Sequence, residues 1–241
     1  MKYVILFFLL VLASGHAVSQ RSIPILCYHN IGNGTYKNDP LHISREQLNN
    51  QLKGLADSGY HTILPDQLVN CLTGNKPLPV RSFMITFDDS HVEHFSIADS
   101  LLRYYGFRGV FFIMTVTIGK PGYMNAAQLK ALAGRGHIIA AHTWDHPHLY
   151  TTGTMDWEQQ LVHPKKVLEK ITGNPVWYFA YPFGEWNDTI INHLKESGYR
   201  AAFQLNAHQG DVLYTIRRMI VDGRFSAIKL QEKMRRFNGE E

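Results

Sequence analysis

The chain has 241 residues, 45% of them hydrophobic, and a formal net charge of +4. That length suits one large core, and α/β barrels reach it without subdividing. Basic residues are scattered apart from short pairs such as Arg217-Arg218 and Arg235-Arg236, which argues against nucleic acid as the main partner, because phosphate binding needs a concentrated basic face.

At the N-terminus, MKYVILFFLLVLASGHAVSQ sets Lys2 before an apolar run over residues 4–13, followed by small residues ending in Ala17-Val18-Ser19. This is the pattern of a signal peptide, expected to cover residues 1–19. The apolar run is about half of the ~20 residues that a spanning helix needs, so no stable membrane span is expected. The working domain is then residues 20–241, exported to the periplasm or secreted. An oxidising compartment would permit Cys27 and Cys71 to pair. Cys27, however, sits in the apolar segment IPILCYH, where a buried free thiol acting as a small hydrophobe is expected.

Along the rest of the chain, short β-branched or aromatic runs alternate with longer helical patterns. Strands are predicted over residues 23–28, 83–87, 109–114, 137–141, 176–181, 201–205 and 215–221. The capping box Ser44-Arg45-Glu46-Gln47 opens a helix that stops at Gly59, and Asn125 with Gln128 opens another that ends near Gly134. Helices over 156–172 and 187–197 each finish before a glycine. Such alternation predicts a mostly parallel sheet with crossover helices. About seven units with strands apolar on both faces favour closure into a single-domain barrel, and no G-x-G-x-x-G follows the first strand to suggest a dinucleotide site.

In such barrels chemistry gathers where strands end at their carboxyl edge. The stretch FMITFDDSHVEHF puts the adjacent carboxylates Asp88 and Asp89 directly after the strand 83–87. Neighbouring acids in a partly buried pocket would force one to stay protonated unless a cation compensates. The segment HTWDHPHL follows the strand 137–141 and carries His142 and His146 four residues apart, with Pro147 discouraging a helix through them. Two imidazoles and a carboxylate suit a divalent metal with open positions, the layout of a catalytic rather than a structural site. The metal takes one of the two acids as a ligand and holds the other ionised beside it as a base. An H-E-x-x-H protease is excluded, since Thr143 stands where that motif needs Glu.

These residues resemble the polysaccharide deacetylases with the NodB homology domain, carbohydrate esterase family 4. Thr86-Phe87-Asp88-Asp89 is similar to the family's T-F-D-D-G, and His142-Thr143-Trp144-Asp145-His146-Pro147 to its H-[ST]-x-x-H-P. Tyr178-Phe179-Ala180-Tyr181-Pro182-Phe183-Gly184 and the opening Pro24-Ile25-Leu26-Cys27-Tyr28-His29 resemble the branch of biofilm poly-N-acetylglucosamine deacetylases. The resemblance implies a distorted (β/α) barrel that removes acetyl groups from N-acetylated glycans with a divalent metal, often zinc, with cobalt, nickel or manganese as alternatives. Carried over by position, it implies Asp88 as general base and Asp89, His142 and His146 as metal ligands.

Three departures bear on function. Ser90 replaces the motif's glycine. Ala180 stands where many members carry an arginine, so the tuning of the base by that arginine is expected to be absent. The family's Leu-x-His, which supplies a general acid, has no counterpart after Pro182. Barrel geometry leaves His29, just beyond the first strand, and His208, shortly after the sixth, as candidate acids. His137 is expected to pack or bond locally, with His91, His94 and His148 supporting the motifs at most. Tyr181 and Phe183, with Trp144 and Trp186, are candidates to line a sugar groove. The alternatives are a secreted carbohydrate-binding protein on an inactive barrel, motivated by the missing arginine and Leu-x-His, and an esterase acting on O-acetylated xylan.

Overall fold

The computed structural model describes residues 23–32, 39–74, 76–150, 154–208 and 210–237; the expected signal peptide lies outside the described residues. In chain order the strands are β1 (Ile25–Tyr28), β2 (Asn30–Gly32), β3 (His42–Ser44), β4 (His61–Thr62), β5 (Ser82–Phe87), β6 (Val110–Ile113), β7 (Ile138–Ala141), β8 (Tyr178–Ala180), β9 (Ala201–Gln204), β10 (Ile216–Arg217) and β11 (Met219–Ile220). The α-helices are α1 (Arg45–Asp57), α2 (Pro65–Leu72), α3 (Asp99–Tyr104), α4 (Ala126–Gly134), α5 (His163–Thr172), α6 (Asp188–Glu196) and α7 (Ala227–Phe237).

The helices begin where short polar side chains satisfy orphan amides. Ser44 Oγ accepts from Gln47 N, Asn125 and Gln128 form a reciprocal capping box, and Asn187 Oδ1 accepts from Ile190 N. The helix predicted over 156–172 is interrupted, since a π-helical turn (Glu158–Val162) precedes α5. The sequence reading did not anticipate α2, α3 or α7.

Eight parallel strands follow the order β10-β9-β8-β7-β6-β5-β1-β11, with β4 beside β5. Period-two alternation splits their side chains into two layers. Ile25, Met84, Val110, Phe112, Ala140, Tyr178, Ala180 and Phe203 form one apolar cluster. Leu26, Ile85, Phe111, Ile139 and Phe179 pack with Leu48, Leu52 and Leu132 of the covering helices. Burial on both faces explains why these strands read as continuous apolar runs. No helix among the described residues is long and apolar enough to cross a membrane.

The expected seventh strand, 215–221, divides in two. β10 pairs with β9, whereas β11 pairs with β1 at the opposite end of the sheet. Only Arg218 separates them. Its amide still donates to the Gln204 carbonyl, and Val221 N then bonds Cys27 O, so the chain crosses from one end of the sheet to the other at this residue. The result is a nearly closed barrel, and Arg218 is the bend that closes it.

Candidate metal centre and active site

The carboxyl ends of β1, β5 and β7 deliver His29, Asp88 and His142 to one rim. Backbone conformation marks the same place. Asp89, Ser90, Thr143, His146 and Phe183 all have φ between +57° and +75°, and the only other described non-glycine residue at positive φ is Arg81. Left-handed backbone costs a non-glycine residue on the order of 1–2 kcal/mol, and such strain concentrates at functional sites. The surrounding hydrogen bonds hold it in place. Thr143 Oγ1 accepts from His146 N at 2.9 Å, and Ser90 Oγ accepts from Met114 N at 2.8 Å.

Ser90 thus keeps the left-handed turn in which the related motif has glycine and adds an anchor to the end of β6. Ser90→Ala would keep the unfavourable φ and strand the buried Met114 amide, a loss of about 1–3 kcal/mol that urea unfolding would register.

Asp89, His142 and His146 each offer one ligand-type atom, all within 4.8 Å of one another. Asp89 Oδ1 lies 3.5 Å from His142 Nε2 and 3.7 Å from His146 Nε2. These distances are too long for a good hydrogen bond, and Asp89 Oδ1 is buried without a hydrogen-bond partner. A buried, unanswered carboxylate oxygen facing two imidazole nitrogens fits a cation. The His142 tautomer is prepared for it, because Nδ1–H donates to the Ala180 carbonyl at 2.7 Å and leaves Nε2 as an acceptor. Electrostatics agree. Burial opposes a charge on His142, yet Asp89 and Asp88 push its pKa up. Burial likewise opposes a charge on Asp89, but His142 and the neighbouring histidines hold it below the usual carboxylate range. The site attracts positive charge, which a metal supplies in place of a proton.

Asp88 is buried and differently held. Arg218 Nη1 donates to Oδ1 and Nη2 to Oδ2, both at 2.7 Å, and the Cys27 thiol donates to Oδ2 at 3.5 Å. Burial would raise its pKa, but the guanidinium and His142 lower it to about 2. Arg218 is 1% exposed; it lies over Phe112 at 5.0 Å and also donates to Thr86 Oγ1.

The arginine expected to be missing at Ala180 is therefore supplied from the other end of the chain. The motif position was read correctly, but the loss of tuning inferred from it is corrected. In the sequence Arg218 stands as half of a basic pair, and its signal is its place inside the predicted strand 215–221. Ala180 contributes its carbonyl to His142 instead of a side chain to Asp88.

Cys27, His29 and Asp88 also have ligand-type atoms within 4.8 Å of one another, but a cation there would have to displace Arg218 from Asp88. His29 Nε2 lies 4.0 Å from Cys27 Sγ, and burial lowers the His29 pKa. Its carbonyl accepts from His94 Nε2 at 2.7 Å. His94 opens a π-helical turn, and burial lowers its pKa to about 4, so it stays neutral and serves to fix the peptide of His29. His208 instead stacks on Trp186, with ring centroids 5.5 Å apart. His137 is buried far from this rim and bonds Asp99, as local bonding predicts. Both cysteines are free thiols.

Among the groove candidates, Tyr181 and Phe183 separate. Phe183 is half-exposed, lies face to face with His148 at 3.9 Å and meets the His146 ring at 4.5 Å. Tyr181 does not line a groove. It is fully buried, and its hydroxyl donates to the Tyr214 carbonyl, because the apolar run continues one residue past β8 into the core. Gly184, at φ +72°, lets this loop pass Leu205, whose backbone N would lie 2.7 Å from a Cβ placed there.

A parallel barrel whose carboxyl rim carries a two-histidine, one-carboxylate cluster beside an ionised acid defines a class of metal-centred barrels. The chain belongs to the polysaccharide deacetylase family, which it matches over residues 75–202. A chitooligosaccharide deacetylase of Azorhizobium caulinodans is 32% identical over 126 residues, 49% of this chain and 56% of that protein. The Streptococcus pyogenes deacetylase PplD, solved in complex with acetate, superposes with a TM-score of 0.81 at 24% identity, covering 88% of this chain and 97% of that one. IcaB from Ammonifex degensii gives 0.77 at 23% identity, covering 89% and 97%. These two likenesses concern the fold. The chain spans 56% to 62% of the length of the first curated relatives it matches.

Proposed function

We propose that this chain is a metal-dependent hydrolase that removes acetyl groups from N-acetylated glycans of the N-acetylglucosamine type. The observation that carries this reading is the division of labour between adjacent acids: Asp89 faces two imidazoles, while Asp88 is locked ionised by Arg218. A divalent ion held by Asp89, His142 and His146, zinc by the nature of the donors, would polarise the acetamide carbonyl and acidify a water.

The chain's own groups then divide the proton transfers. An ionised carboxylate offers about four lone-pair directions. Arg218 takes two at Asp88 and Cys27 a third, which leaves one for the proton of the attacking water. His29, in the same cluster and neutral at rest, receives the proton that Asp88 takes from the water and passes it on to the departing amine. A backbone N–H in the loop after Tyr181 supports the developing oxyanion. Of those amides, Tyr181 N is committed to Phe203 O, Gly184 N to Tyr181 O, and Pro182 has none, so Phe183 N is the donor. Acetate and a free amine result.

Arg218 also removes one of the two motives for an inactive, binding-only barrel, because the base has its guanidinium. The apolar N-terminal segment supports export, and with it a periplasmic or extracellular polymer as substrate.

Incubating metal-loaded and chelated protein with N-acetylated glycans and O-acetylated xylan, with acetate and new amines measured, tests the proposal. Acetate with matching amines from the former, lost on chelation, is expected. His142→Ala should lose bound metal and activity together. Acetate without amines would point to the esterase, and glycan binding without acetate to the lectin-like alternative.

A further inference from the structure

The rim does not end at the metal cluster. His148, two residues after His146, lies flat on half-exposed Phe183, and its Nδ1 faces both oxygens of Glu185 at 3.0 and 3.1 Å. Tyr150 is also half-exposed, and its hydroxyl donates to the Trp186 carbonyl. Beyond it opens a cavity of about 380 Å³ whose lining includes Tyr150, Met155, Trp157, Asn187 and Thr189, within the ~300–1,000 Å³ range of small-ligand sites. Tyr150 follows the metal-ligand candidate His146 by four residues, so the cavity mouth at Tyr150 lies within roughly 14 Å of that ligand along the chain.

We propose that the chain binds its substrate as a polymer, seating a distal sugar of the glycan in this cavity while the reacting sugar lies at the metal cluster. The inference rests on the deacetylase reading of that cluster. The lining matches a pyranose, which presents apolar C–H faces and hydroxyl edges. Tyr150, Trp157 and Met155 offer apolar and aromatic surface. Asn187 spends its Oδ1 on the Ile190 amide at 2.9 Å and keeps its amide nitrogen to donate, and Thr189 brings a hydroxyl. A lipid would want a lining without these polar groups. Phe183 and His148, stacked on each other with Phe183 against the His146 ring, are not part of the cavity lining, so the cavity is a place separate from the metal cluster. That rim is held in a costly backbone geometry, with Phe183 at φ +57°, which marks it as built for contact rather than as a relaxed loop.

Two variants test the seat by opposite means. Trp157→Ala removes an aromatic wall, although Trp157 also stacks on His193 at 4.4 Å and its loss could disturb folding. Thr189→Tyr fills the cavity from an exposed position in the first turn of α6 and removes nothing buried. Both are compared with wild type, metal-loaded, on dimers and pentamers of N-acetylglucosamine in β-1,4 and β-1,6 linkage, with acetate release and calorimetric binding measured. In wild type the pentamer should exceed the dimer in kcat/KM in at least one linkage series. In each variant that ratio should fall about tenfold, the size of losing one aromatic partner, and the fall should lie in KM. A wild-type ratio near one, or a ratio untouched by Thr189→Tyr, overturns the distal seat and leaves the deacetylase standing. Absence of acetate from every glycan overturns the deacetylase instead. Calorimetry then decides the seat, which stands if pentamer binding weakens in Thr189→Tyr and falls if it does not.

Discussion

Asp88→Asn is expected to lower acetate release by 10²-fold or more while the protein keeps its full complement of metal. The magnitude is that of losing a positioned general base. The separation of rate from metal content follows from geometry, because Asp89 and not Asp88 faces the imidazoles of His142 and His146. The substitution also has a structural cost. Arg218 donates through two nitrogens to the two Asp88 oxygens, and an asparagine can accept only one of those bonds, leaving a buried cation partly unanswered. Rates should therefore be taken well below the variant's own unfolding temperature, with metal measured on the same sample. A folded, metal-loaded Asp88→Asn protein with a near-normal rate would remove Asp88 from the base role and, with it, the reason for the Arg218 contact. Loss of metal along with rate would mean that Asp88 belongs to the ligand set.

Much of the site was legible in the sequence because its parts are local. Asp88 and Asp89 end a strand that reads as one, and His142 and His146 end another; parallel strands in a barrel bring their carboxyl ends to one rim without further information. His29 was legible for the same reason. Arg218 was not, because what gives it meaning is long-range. It lies 130 residues from Asp88 in sequence, and its strand pattern gives no sign that β10 and β11 pair with opposite ends of the sheet. Tyr181 departs in the other direction: as the last residue of the predicted strand 176–181 it is expected to line a groove, whereas the core holds it and the Tyr214 carbonyl accepts from its hydroxyl. Ser90 shows a third limit. The sequence reports a missing glycine, whereas the structure shows the glycine's conformation kept by a serine with a partner at Met114.

Arg218→Met is expected to destabilise the fold by about 3–5 kcal/mol at neutral pH, the cost of stranding one member of a buried ion pair. The effect should be large because Arg218 acts twice. Its side chain neutralises Asp88 inside the barrel, and its backbone joins the two strands that bring the ends of the sheet together. The pH dependence has a definite sign. With Asp88 held near 2 in the folded wild type and ~3.9 unfolded, the carboxylate contributes stability above pH ~3.9 that is lost as pH falls toward 2. In Arg218→Met, burial acts without the guanidinium, so the folded pKa of Asp88 rises above the unfolded value and the acid costs stability at neutral pH. The gap between the two proteins should thus narrow as pH drops, first through the variant's raised pKa and then through 3.9. Thermal unfolding of chelated protein across that range would measure it. The double variant Asp88→Asn with Arg218→Met supplies the control. With neither charge left stranded, its loss should be clearly smaller than the sum of the single losses. Additive losses, or a gap that stays constant with pH, would mean that Arg218 stabilises the barrel by packing alone and that Asp88 owes its ionisation to something else.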